Sequence, residues 1–273
     1  MFVMEKIEAV IFDWAGTTVD FGCFAPLEVF LDIFGKAGVD ITVEEARKPM
    51  GVLKIEHIRI LLNEPRIRGE WIKVKGKEPT DEDVNALYTE YVPSLLKILK
   101  KYSEPNPYVI DAVKTLRDMG LKIGSTTGYT DEMMSVVVPE AKKLGYSPDC
   151  FFTPDGLPAG RPLPWMMYKN ATALEVYPMS HIVKVGDTIS DIKEGLNASA
   201  WSVGVIEGSN ELGLRLDEMK SLSKEELDAR CEKVKAKYLE SGAHFVIRNM
   251  SELPSLIEKI NTMLADGKTP AAL

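Results

Sequence analysis

IEAVIFDWAGTTVD, residues 7–20, decides the fold class. Ile7, Ala9, Val10, Ile11 and Phe12 form a short apolar run rich in β-formers, the pattern of a parallel strand covered on both faces. The run stops at Asp13. Trp14, Ala15, Gly16, Thr17 and Thr18 follow, and their small or hydroxyl-bearing members suit a tight loop that brings amides and hydroxyls up to an anion. Open α/β sheets bind ligands beyond the carboxyl ends of their strands, so Asp13 is expected at the mouth of a site. On this stretch alone, an aspartate that merely starts a turn reads equally well.

Downstream of Phe21 the pattern turns helical. Leu27, Phe30, Leu31 and Phe34 give one apolar stripe, Ile55, Ile58, Leu61 and Leu62 a second, and Leu87, Tyr91, Leu95 and Leu96 a third. The charged residues 64–82 between the last two read as a solvated connection or a short helix. No strand interrupts them, so residues 21–99 are expected to form an inserted α-helical cap, and residues 1–20 and 100–273 an α/β core. Past Pro105 and Pro107 the alternation resumes: helix 109–119 ended by Gly120, strand 121–126, helix 131–144 and a short strand 150–152. A Gly/Pro loop at 156–164, a helix from Trp165, strand 181–185 and helix 192–198 come next. Strand 201–205, helix 224–239, strand 243–247 and helix 253–264 close the chain. Strands alternating with helices predict a doubly wound, mostly parallel sheet.

The 273 residues carry a net charge of −8 and a sequence pI near 5.1, which argues against nucleic acid as the main partner. Cys23, Cys150 and Cys231 are odd in number and far apart, so neither a disulfide framework nor a zinc knuckle is suggested. No run approaches the ~20 apolar residues of a membrane span, and the first strand lacks the flanks of a signal peptide. A cytoplasmic location with no membrane partner is expected.

Three strand ends supply polar residues: Asp13, Thr127 in the run Thr127–Gly128–Tyr129, and Asp187 with Asp191 in GDTISD, residues 186–191. Two carboxylates from adjacent strand ends, with a backbone carbonyl nearby, make an oxygen-lined pocket of the kind Mg²⁺ prefers. The Thr127 hydroxyl and the Arg161 guanidinium would complete a phosphoryl site opposite the metal. Singly, Thr127 reads as a strand-end hydroxyl, Arg161 as a surface residue, and Asp187 or Asp191 as a turn residue or helix N-cap.

In order, these motifs resemble the four motifs of the haloacid dehalogenase superfamily of phosphotransferases, with the helical insertion where that superfamily carries its cap. The resemblance implies Asp13 as a nucleophile forming an aspartyl-phosphate, and Mg²⁺ held by Asp13, the Ala15 carbonyl and Asp187. Most phosphatases of the superfamily have an acidic residue two positions after the nucleophile; Ala15 stands there and moves no proton. Either the site is silent or the leaving group departs without that acid, as a carbon would.

A lysine forming a protonated imine would accept the electrons of a carbon–phosphorus bond. Lys54 sits among Val52, Leu53 and Ile55, with His57 three positions on along the same helical face; a solvated helical lysine and a structural histidine are the plainer readings. DWAGTTVD, CFAPLEVF, EEARKPMG, LKIEHIR, IGSTTGYT, PAGRP and VGDTISDIKEG together resemble the phosphonatase family of phosphonoacetaldehyde hydrolases along nearly the whole chain. The resemblance implies a Schiff base between Lys54 and a small phosphonate aldehyde, and His57 assisting proton transfer directly or through water. It also implies Cys23, Met50, Gly51, Gly128 and Tyr129 near the substrate, and a homodimer through the cap helices. Asp191 is expected either as a further metal ligand or as a residue orienting a bound water or Thr127. The competing readings are a sugar-phosphate phosphatase or mutase, disfavoured by Ala15, and a silent binding protein, disfavoured by the full set of competent side chains.

Overall fold

Five short parallel strands, β1 (Ala9–Phe12), β2 (Lys122–Ser125), β3 (Ile182–Gly186), β4 (Trp201–Val205) and β5 (Phe245–Ile247), form one sheet in the order β2-β1-β3-β4-β5. The structure is a computed structural model, and it describes residues 5–272. Phe12 stands beside Ser125 of β2 and Val185 of β3, so the chain leaves β1, β2 and β3 at one level. That register sets Asp13, Thr126 and Asp187 close together. All residues of β1, β3 and β4 are buried, as a sheet covered on both faces requires.

After β1 the insertion contributes five α-helices: α1 (Phe24–Lys36), α2 (Val43–Arg47), α3 (Lys54–Asn63), α4 (Pro65–Lys75) and α5 (Asp81–Leu99). The long α5 packs against α1 and α3, burying Val84, Leu87, Tyr91, Leu95 and Leu99. Two of the five were not distinct in the apolar pattern. α2 is a single capping-box turn in which Thr42 and Glu45 satisfy each other's backbone amides. α4 buries only Ile67 and Trp71, too sparse a stripe to stand out among its charges.

The remaining helices are α6 (Val109–Asp118), α7 (Asp131–Lys143), α8 (Trp165–Ala173), α9 (Ile189–Asn197), α10 (Leu216–Ser221), α11 (Lys224–Glu240) and α12 (Leu253–Ala265). The expected strand at 150–152 is replaced by one bridge between Phe152 and Thr126. Asp149 and Phe152 donate to the Ile123 and Ser125 carbonyls, enough to cover the β2 edge without building a ladder. α9 begins three residues before the expected 192, because the Thr188 hydroxyl accepts the Asp191 N–H and the Asp191 carboxylate accepts the Thr188 N–H. Asp191 is thus the third residue of a capped helix and not its N-cap.

The two connections between sheet and insertion are tied to one another. Val19 bridges Pro105, the Asn106 N–H donates to the Thr18 carbonyl, and Asn106 Nδ2 donates to the Thr17 carbonyl. No helix among the described residues is long and apolar enough to cross a membrane.

Candidate active site

The loop after β1 is wound tightly on itself: the Trp14 carbonyl accepts the amides of Thr17, Thr18 and Val19, and Thr18 Oγ1 donates to the Asp13 carbonyl. Gly16 has φ +88°, and a Cβ there would lie 2.0 Å from Asp187 Oδ2, so only glycine lets the loop fold over that carboxylate. Asp187 takes hydrogen bonds from Thr17 Oγ1 at 3.1 Å and from the Asn210 N–H at 2.8 Å.

Asp13, Asp187 and Asp191 are buried, and each offers a ligand atom within 4.8 Å of the others. Burial pushes Asp13 upward, and the Arg161 guanidinium offsets only part of that rise. Burial, then repulsion from Asp13 and Asp191, drives Asp187 well above the ordinary carboxylate range. Asp191 differs: burial works to raise it, but Arg161 and Lys184 outweigh burial and hold it low. Four buried carboxylates, counting Glu194, face Arg161 and Lys184, with Lys54 across the cavity, so a divalent cation between Asp13 and Asp187 would offset the excess negative charge. The donor set fits a hard metal ion.

Beneath the carboxylates Arg161 and Asp191 join a polar network with Thr126, Lys184 and Glu194, three residues that the motifs did not point to. Arg161 Nη1 is 2.6 Å from Asp13 Oδ1 and 2.9 Å from Asp191 Oδ1. Its Nε donates to Glu194 Oε2 at 2.9 Å and its Nη2 to Thr126 Oγ1 at 2.6 Å. Lys184 Nζ donates to the same Thr126 oxygen at 2.8 Å and stands 2.9 Å from Asp191 Oδ1, while the Thr126 hydroxyl donates to Glu194 Oε2. Asp191 is therefore engaged by Arg161, Lys184 and Thr188; of the alternatives expected for it, the contact with Thr127 is not made, Thr127 Oγ1 accepting the Tyr129 N–H.

Above the sheet the insertion closes a cavity of about 20 Å³. Asp13, Ala15, Cys23, Met50, Gly51, Lys54, Thr127, Gly128, Tyr129 and Arg161 line it, joined by Thr188. Lys54 is 3 % exposed; its Nζ lies 3.8 Å from Met50 Sδ and 5.2 Å from the centre of the Tyr129 ring. Burial lowers its pKa, against the upward pull of Cys23 and Asp13. A Cβ on Gly128 would meet the Val52 and Gly51 carbonyls at 2.8 and 2.9 Å, so a bare backbone is what lets the insertion sit this low.

His57 lies outside the cavity lining. Its Nε2 meets the Ala46 carbonyl at 2.9 Å, which fixes the proton on that nitrogen; Nδ1 has no partner among the described residues, and the ring packs on Phe30 at 3.9 Å. Burial, then the Lys54 charge, keeps the imidazole neutral.

The profile of the haloacid dehalogenase-like hydrolases matches residues 7–199. Over 255 residues the chain is 60% identical to the phosphonoacetaldehyde hydrolase of Bacillus cytotoxicus, covering 93% of this chain and 97% of that protein. The chain belongs to the phosphonoacetaldehyde hydrolase family, within the haloacid dehalogenase-like hydrolases. It is 58% identical over 256 residues to a bifunctional phosphonoacetaldehyde hydrolase/aminoethylphosphonate transaminase of Clostridioides difficile, and spans 40% of that longer protein. A crystal structure of a phosphonoacetaldehyde hydrolase-like protein from Oleispira antarctica superposes with TM-score 0.96 at 37% identity, over 99% of this chain and 98% of that one. The fold alone is shared with a β-phosphoglucomutase of Clostridioides difficile, at TM-score 0.67 and 17% identity.

Within this phosphonoacetaldehyde hydrolase family member, the missed residues left one legible trace. Lys184 interrupts an otherwise apolar strand, and a lysine in a strand covered on both faces must find a buried partner. Glu194 and Asn210 left none, since a glutamate on a helix and an asparagine in a loop are ordinary.

Proposed function

We propose that this hydrolase cleaves the carbon–phosphorus bond of phosphonoacetaldehyde, giving acetaldehyde and phosphate, with Lys54 as the imine-forming amine and Asp13 as the nucleophile toward phosphorus. The observation that carries the reading is that one small cavity is lined by both a buried, pKa-lowered lysine and the carboxylate at the end of β1. The names of the relatives support the substrate.

The neutral Lys54 amine adds to the aldehyde and water leaves, giving a protonated imine. Asp13 Oδ then attacks phosphorus; the carbon–phosphorus pair becomes the C=C bond of an enamine, and the C=N π pair moves onto nitrogen. Protonation of the enamine carbon and addition of water to the resulting imine release acetaldehyde and restore Lys54. A second water displaces phosphate from the aspartyl-phosphate. The electrons leave through carbon and nitrogen, so no oxygen leaving group needs an acid, in agreement with the methyl side chain of Ala15. Neutral His57, with a free Nδ1 behind Lys54, is suited to accept a proton during imine formation, directly or through water. Arg161, held by Glu194 and Thr126, would face the phosphoryl oxygens along with Thr127 and Gly128.

Mg²⁺ is the proposed metal, held by Asp13, Asp187 and the Ala15 carbonyl, with Asp191 behind it on the cations; when bound, it would neutralise charge developing on the phosphoryl oxygens. A homodimer through the insertion is part of the proposal, supported by Val43, Ile60, Ile72 and Val74, which stay 36–49 % exposed on α2, α3 and α4. A cytoplasmic location is the expected setting.

Borohydride added with phosphonoacetaldehyde should inactivate the enzyme and leave a reduced two-carbon adduct, after loss of phosphate, on the peptide carrying Lys54. Cleavage of the substrate by a protein whose Lys54 stays unmodified under those conditions would refute the imine.

A further inference from the structure

Asp187 is tied to the helical insertion through a single residue of the loop after β4. The Asn210 N–H donates to Asp187 Oδ2 at 2.8 Å, while its side chain turns the other way, onto Arg47 at the end of α2. Arg47 Nη1 donates to Asn210 Oδ1 at 3.0 Å and to the Asn210 carbonyl at 3.3 Å, and Asn210 Nδ2 donates back to the Arg47 carbonyl at 3.2 Å. The same Nη1 donates to the Gly22 carbonyl at 2.8 Å, in the connection between β1 and α1. Asn210 is 2 % exposed, and the Arg47 guanidinium lies 4.8 Å over the Phe24 ring with Nε and Nη2 buried and, among the described residues, unpartnered. A cation that uses so few of its donors is held by the seating of the pieces around it, and it loses that seating when they part.

Arg47 also reaches the other half of the chemistry. The neighbouring Ala46 carbonyl fixes the His57 tautomer, and the turn after Arg47 carries Met50 and Gly51 into the cavity before α3 begins at Lys54. One displacement of Arg47 would therefore shift the imine side and free the loop that holds Asp187.

We propose that Arg47 and Asn210 are positioning residues that couple the seating of the insertion, and with it Lys54, to the seating of Asp187. The inference rests on the imine reading above. Imine formation needs only the amine and the aldehyde; attack on phosphorus needs both halves in register. Loss of the clamp should therefore slow the second step and spare the first.

The test measures borohydride trapping of Lys54 and steady-state acetaldehyde release side by side in the wild type, Arg47→Met, Asn210→Ala and the double variant. Asn210→Ala retains the N–H toward Asp187 and removes only the side-chain clamp. Each single variant is expected to lose about 10²-fold in kcat, the cost of a misplacement of roughly an ångström. Trapping of Lys54 at saturating phosphonoacetaldehyde should match or exceed that of the wild type. The double variant should be no slower than the slower single, because both truncations break one unit. Unchanged kcat in both singles, losses that multiply in the double, or trapping that falls in step with turnover would each overturn the coupling. If a truncation does not fold, Arg47→Lys and Asn210→Ser give the same comparison with charge or polarity retained. A wild type that turns over substrate without any trapping defeats the imine reading itself, a result distinct from all of these.

Discussion

Lys54 owes its reactivity to burial more than to any partner. Its nearest named neighbours are a thioether and a ring face, and the weak pull of that ring and of Asp13 on the ammonium is outweighed by burial. The folded pKa lies below the unfolded one, so between the two the unfolded chain holds the extra proton and stability rises with pH. Lys54→Met keeps the volume and removes that dependence: acetaldehyde release and trapping should vanish, while the urea midpoint near pH 7 stays level or rises. A fall in the midpoint at neutral pH would show that the charge stabilises the fold. Asp13 and Asp187 run the opposite way, since burial and mutual repulsion favour their protonated forms. A bound cation would favour their ionised forms, so apparent Mg²⁺ affinity should rise with pH through the range in which these carboxyls titrate, with proton release. Calorimetric titrations in buffers of different ionisation enthalpy measure both; an affinity flat with pH would remove the charge deficit from the account.

At the scale of elements, the Arg161 loop, β3 and α9 meet in one buried knot. Thr126 and Glu194 each join Arg161 to Lys184, so removing one carboxylate leaves two buried cations short of a partner. Glu194→Gln should cost about 3–5 kcal/mol of unfolding free energy, the range for breaking a buried ion pair from one side. Urea unfolding of the variant checks it, and a loss within the range of a surface substitution would mean that Lys184 and Arg161 are satisfied by Asp13 and Asp191 alone. The same elements show what a sequence discloses. β1, β3 and β4 were legible because burial on both faces leaves mostly apolar runs, broken only by Lys184 in β3 and Ser202 in β4, and the residues just past them are where a site must lie. Residues 150–152 look like a strand for the same reason, yet they touch the sheet through too few hydrogen bonds to form one. Lining residues from Asp13 to Arg161 were legible through family motifs. The supports beneath them, Thr126, Glu194 and Asn210, were not, because their roles come from partners 23 or more positions away in the chain.

Across the whole molecule, the insertion and the sheet are shut on one another. A cavity of about 20 Å³ holds about one water molecule and has no room for an aldehyde bearing a phosphonate. We expect substrate to be admitted by opening, with the insertion turning about the paired connections at Val19–Pro105 and Thr18–Asn106. Lys54 itself reports on the motion. A small acylating reagent, followed by peptide mass spectrometry, should label Lys54 more slowly than the exposed lysines. As reagent is raised, its rate should level off at the rate of opening, whereas surface labelling keeps climbing. Magnesium with inorganic phosphate, by engaging both Asp13 and the underside of the insertion, should lower that plateau. Labelling of Lys54 that stays proportional to reagent up to the highest concentrations, with or without phosphate, would instead mean that a standing channel reaches the amine and that closure plays no part in turnover.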